Sequence, residues 1–90
     1  MKLKDNYVTF GDENSVMMVS VDGTEFPGVL KGNGTVRFIL DQLRTETDRD
    51  GIVAAMLREY DVSPELAAQD ADRVLQALRE TGALEEGQSN

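Results

Sequence analysis

The sequence predicts one α+β domain in which three β-strands precede three α-helices. Two observations predict it. Residues 7–31 hold short runs of β-branched, aromatic and other apolar residues broken by turn signals, whereas residues 35–81 hold apolar residues at helical spacing between recognisable helix caps. A third observation sets the scale. Ninety residues, 40% of them hydrophobic and 29% charged, suit a globular chain with one core and a surface groove, too small for a deep interdomain cleft. Residues 1–86 are therefore expected to form a single domain, and residues 87–90 a flexible polar tail.

The strands come first. "YVTF" (7–10) and "SVMMVSV" (15–21) flank the turn "GDEN". In the second run Met17, Val19 and Val21 share one face and Val16, Met18 and Ser20 the other. Asp22-Gly23 signals a turn. A short third strand follows at about Val29 to Lys31, and Pro27, which has no N–H to donate, belongs before it or on an open edge.

The helices follow. The first is expected from about Thr35 to Leu43, capped by Asn33 or Thr35, with Val36, Ile39, Leu40 and Leu43 on one face. The second starts at Asp48 as N-cap and carries Ile52, Val53, Met56, Leu57 and Tyr60. The third has Ser63 as N-cap and Pro64 at its first position, and it ends at Thr81 before Gly82. Its inward stripe is Ala67, Ala71, Val74, Leu75 and Leu78, with Leu84 folding back after the glycine. The expected core comprises Val36, Ile39, Leu40, Leu43, Ile52, Met56, Leu57, Leu75 and Leu78. A winged helix-turn-helix is one common realisation of such an order.

Composition excludes most chemistry. With no Cys and no His, thiolates, disulfides, imidazole metal sites and Ser-His or Cys-His pairs are impossible. The net charge of −8 repels nucleic acid and anionic membrane, so neither is an expected partner. "MKLKDNYVTF" is no signal peptide and no window approaches a membrane span, so a soluble, cytoplasmic protein is expected.

Two loops invite a chemical reading. In "VLKGNGTVRFIL" (29–40) a strand, a glycine loop and a helix could cradle a phosphate, but the Walker pattern is absent, and a dinucleotide pattern starting at Gly32 and Gly34 meets Arg37 at its third glycine. "ETDRDG" (46–51) resembles the start of a calcium loop, but its twelfth position is Leu57 in place of a bidentate Glu. Asp70 and Asp72 stand two apart, where helical neighbours stand three or four apart, so they do not form an acid/base pair. No catalytic residues, metal ligands or cofactors are expected.

Three stretches together resemble the PqqD-like family of peptide-modification chaperones, the recognition elements of ribosomally made, post-translationally modified peptides. Phe26-Pro27-Gly28-Val29-Leu30-Lys31-Gly32-Asn33-Gly34-Thr35 followed by Phe38-Ile39-Leu40 and Leu43 is similar to the family's Phe-x-Gly, short apolar strand and Leu-Asn-x-Thr turn into a helix. "GIVAAMLREYDVSPELAAQDADRVLQAL" is similar to its apolar helix, Tyr-Asp-Val turn and Asp-led last helix, and "LRETGALEE" to its close. The likeness spans about residues 15 to 86. Gly32 replaces the family's Leu, Gly34 a usual acidic residue, and Val36 a usual small one.

The resemblance implies a three-stranded antiparallel sheet on three helices in a winged-helix topology. It further implies a module that does no chemistry, captures the leader of a precursor peptide as an added strand on its third strand, and presents it to a modifying enzyme, often a radical S-adenosylmethionine maturase. The implied site is Val29, Leu30 and Lys31 on the strand, Val74 and Ala77 on the last helix, Phe26 walling one end, and Arg73 pairing with an acidic leader residue at the rim. Other readings stay open. A winged-helix DNA-binding regulator would read with residues 64–81, where Glu65, Asp70, Asp72 and Glu80 oppose Arg73 and Arg79. A homodimer would pair through the open strand edge. A degenerate family member would have lost its peptide.

Overall fold

The computed structural model describes residues 1–5, 7–20 and 29–86. Its elements run β1 (Lys2–Leu3), β2 (Tyr7–Phe10), β3 (Ser15–Ser20), β4 (Val29–Asn33), α1 (Gly34–Gln42), α2 (Arg49–Glu59), α3 (Pro64–Thr81) and β5 (Leu84–Glu85). The main sheet is antiparallel in the order β2-β3-β4, and three helices follow it, the expected α+β arrangement. The turn expected at Asp22-Gly23, and the tail at 87–90, lie outside the described residues.

The register explains the layers. Residues directly opposite in an antiparallel pair point to the same face. Tyr7, Val16 and Met18 are buried against the helices, and their neighbours in sequence Val8 and Met17 are exposed. Ile39, Leu40 and Leu43 of the α1 segment, Ile52 and Met56 of α2, and Leu75 and Leu78 of α3 complete the core.

Each helix starts on a side-chain cap that answers an N–H lacking an intrahelical partner. Asn33 Oδ1 accepts from the Val36 N–H at 3.1 Å, Asp48 Oδ1 from Gly51 at 2.7 Å, and Ser63 Oγ from Leu66 at 3.1 Å. The α3 helix stops at Gly82, whose φ of 80° is a left-handed conformation that a side chain disfavours. The Asp48 carboxylate of the acidic "ETDRDG" loop is thus committed to a helix cap.

Three expectations are corrected. Leu57 is 39% exposed and outside the core, because it follows the buried Met56 by about 100° around α2. Val36 is only half-buried, at the rim of the core. The third strand runs on to Asn33, which stays extended and opposite Ser15 while its side chain caps α1.

A small second sheet was not legible in the sequence. β1 pairs with β5, setting Leu3 opposite Leu84, and Lys4 N–H donates to the Ala83 carbonyl at 3.0 Å. Leu3 N–H also bonds the Leu43 carbonyl at 2.9 Å, so the N-terminal segment ties the end of α1 to the turn after α3.

Candidate functional site

The site begins with an unfinished sheet. β4 pairs with β3 on one side, Val29 opposite Val19, Leu30 opposite Met18 and Lys31 opposite Met17, and no strand pairs with its other side among the described residues. The outward N–H and C=O groups of such an edge form a template for another extended chain.

The sequence of β4 explains how close α1 comes to it. A Cβ placed on Gly32 would lie 2.5 Å from Val36 Cβ and 2.6 and 2.7 Å from its two γ-carbons. No side chain fits there while Val36 holds its position. Val36 occupies the volume that a larger residue at 32 would take.

Between the β4 edge and α3 lies a groove of about 220 Å³ lined by Lys31, Val36, Arg73, Val74 and Ala77. Four of the residues singled out in the sequence, Lys31, Arg73, Val74 and Ala77, therefore converge on one feature. Val74 is only 5% exposed and serves both as core and as groove wall, Ala77 is half-buried, and Lys31 is exposed at the rim. Val29 and Leu30 contribute backbone to β4, and Phe26 lies outside the described residues. The residue that sequence reasoning missed is Val36. Its membership of the 36–39–40–43 stripe made it look like core, but the first turn of α1 carries it past the core to the strand edge.

The cations of α3 are already engaged. Arg73 bonds Asp70 at 2.6 Å and Arg79 bonds Glu86 at 2.9 Å, while Asp72 takes Arg49 of α2 in two bonds of 2.5 and 3.1 Å. The bond from Arg49 holds the Asp72 carboxyl below the usual carboxylate range and raises Arg49 in turn. Asp70 and Asp72 thus turn to different partners, and α3 presents a face of neutralised pairs, a poor match to a phosphate backbone. Arg73 is 72% exposed on its side chain, so its pair with Asp70 is weak enough for a ligand carboxylate to compete.

The arrangement offers a strand edge, a small apolar trough and two basic rim residues. Among the described residues no group of three or more Asp or Glu side chains gathers to hold a metal, and no helix is long and apolar enough to cross a membrane.

Comparison with known proteins agrees with this geometry. No curated protein sequence matches the chain. The solved structure of TbiB1 in complex with the TbiA(beta) leader peptide is similar in fold, with a TM-score of 0.77 at 21% sequence identity, covering 99% of this chain and 100% of that one. The sequence model of the family described as coenzyme PQQ synthesis protein D (PqqD) matches residues 15–84, from the second strand of the main sheet through the turn after α3. Matched over most of its length, the chain belongs to the PqqD family.

Proposed function

We propose that this protein is a non-catalytic module that captures the leader segment of a ribosomally made precursor peptide and presents it to a modifying enzyme, a radical S-adenosylmethionine maturase. The observation that carries this reading is the open β4 edge beside the groove of Lys31, Val36, Arg73, Val74 and Ala77. Family membership and the fold shared with a structure that holds a leader peptide support it.

The mechanism is strand addition. Main-chain hydrogen bonds to Val29, Leu30 and Lys31 supply affinity that depends little on sequence, and the groove selects an aliphatic side chain of the leader. Arg73 exchanges Asp70 for an acidic leader residue at the rim. The enzyme partner supplies the chemistry, and this chain needs neither cofactor nor metal for its part.

The test is an amide NMR titration with synthetic leader peptides of candidate ribosomally made precursors. Shifts are expected on residues 29–33 and on the groove face of residues 70–81. Absence of binding, or shifts confined to β2, would overturn the reading. An edge open to a peptide is also open to a second copy of the chain. Light scattering with and without the leader separates these, since a dimer through β4 must dissociate as the peptide binds.

A further inference from the structure

The sheet face turned away from the helices carries an exposed apolar row that crosses from β2 to the β4 edge. The register places Phe10 opposite Met17 and Met17 opposite Lys31, so these three form one row across the sheet. Phe10 is 57% exposed and Met17 38%, with Val8 beside them at 38%. A hollow of about 460 Å³ lies along this row, lined in part by Phe10, Ser15, Met17 and Lys31, and it reaches β4 at Gly32. Exposed apolar side chains in a row beside an open edge invite association, and a small acidic domain gains no fold stability from leaving them in water.

We infer that the captured peptide is read on both faces of its strand: an aliphatic residue enters the groove toward α3, and the next residue, an aromatic one, lies on the outer face over Lys31 toward Met17 and Phe10. The inference rests on the strand-addition reading above. Successive side chains of a strand point to opposite faces, so a strand added to β4 cannot use the inner groove alone. Its alternate residues extend the row that ends at Lys31. The chemistry of that row selects an aromatic. The Lys31 ammonium meets a ring face, its methylene stem offers apolar cover and Met17 offers a thioether, with Phe10 one strand further on closing the far end of the row. Only a large side chain reaches from an added strand across β4 toward Met17, which lies two strands away at about 4.8 Å per strand. The outer surface thus adds a specificity determinant distinct from the groove against α3.

The experiment selects peptides from a phage-displayed random 12-residue library on the immobilised full chain, then measures a synthetic enriched peptide in solution. Enriched sequences are expected to pair an aliphatic residue with an adjacent aromatic. Alanine at either position should weaken binding about fivefold or more. Met17→Ser should weaken it about threefold or more, and Phe10→Ser, one strand further from the added strand, by less; both positions are exposed, and circular dichroism checks for an intact fold. If Ala77→Glu abolishes binding while Met17→Ser and Phe10→Ser bind like the wild type, the groove stands and the two-faced reading is overturned. If alanine matters at one parity only, it is overturned as well. If no peptide is enriched, both readings fall.

Discussion

The two edges of the main sheet have the same backbone chemistry and different surroundings. Among the described residues β2 and β4 each pair with β3 on one side only, so each carries a row of outward N–H and C=O groups. Beside β2 lies a hollow of about 180 Å³ lined by Leu3, Lys4, Asp5, Tyr7, Thr9 and Arg44, and Arg44 reaches over it to donate to Thr9 Oγ1 at 2.7 Å. Beside β4 lies the trough of Val36, Val74 and Ala77 with cations only at its rim. Charged side chains guard the first edge in the manner by which proteins blunt an edge strand. Small and aliphatic side chains leave the second edge open. An open ladder is therefore not enough to define a peptide site, and on the proposed reading the side chains that flank it decide which edge receives the peptide.

The largest expected effect removes the support under the groove. Leu75 and Leu78 are fully buried on the side of α3 that holds the groove wall in place. Leu78→Ala should cost about 2–5 kcal/mol in urea unfolding, loosening β4's surroundings and sparing little of β2's. A loss under about 1 kcal/mol would mean that α3 is phased differently.

Next comes the contrast between edges. Ala77→Glu puts a carboxylate into the apolar trough and should lower peptide affinity about a hundredfold or more with the fold intact. Arg44→Ala, at the guarded edge, should leave affinity within about twofold. Equal losses would erase the distinction between the edges.

A smaller effect probes the fit of β4 to α1. Gly32→Ala forces a Cβ to 2.5 Å from Val36 Cβ and should cost about 1–3 kcal/mol. Adding Val36→Ala should restore much of that loss, a coupling that a double-mutant cycle reads directly. Additive losses would show that the two positions do not share one space.

The smallest effect is electrostatic and lies away from both edges. The Asp72 carboxyl is held below its ordinary value by Arg49, so its contribution is complete above the unfolded carboxylate value and fades as pH falls through the folded one. Urea midpoints of wild type and Asp72→Asn should therefore differ slightly at neutral pH and converge in acid. Both side chains are about half exposed, which keeps the difference small.

Much of the helical half was legible in the sequence because its signals are local. Asn33, Asp48 and Ser63 cap their helices from three residues away, and Gly82 ends α3 by its own backbone preference. β2 and β3 were legible from β-branched and aromatic runs. The pairing of Leu3 with Leu84 was not, since it joins opposite ends of the chain through two-residue strands too short to show a period. Leu57 misled because α2 carries apolar residues around more than one face. The site was legible mainly through the family resemblance. Residues of one helix stripe serve as core at Leu78 and as groove wall at Val74, and spacing alone does not separate those roles. Val36 went unrecognised as a groove residue because the spacing of its stripe reads as core, and the room for its side chain at the strand edge comes from the bare Gly32 across the turn.

The central claim is that the β4 edge, and not the β2 edge, receives the peptide. Amide hydrogen exchange followed by NMR, with and without an excess of leader peptide, tests it most directly, since both edges are read in one sample. Strand addition predicts markedly slower exchange for outward amides among residues 29–33 and unchanged exchange across residues 7–10. Slowing across residues 7–10 with residues 29–33 unchanged would contradict it.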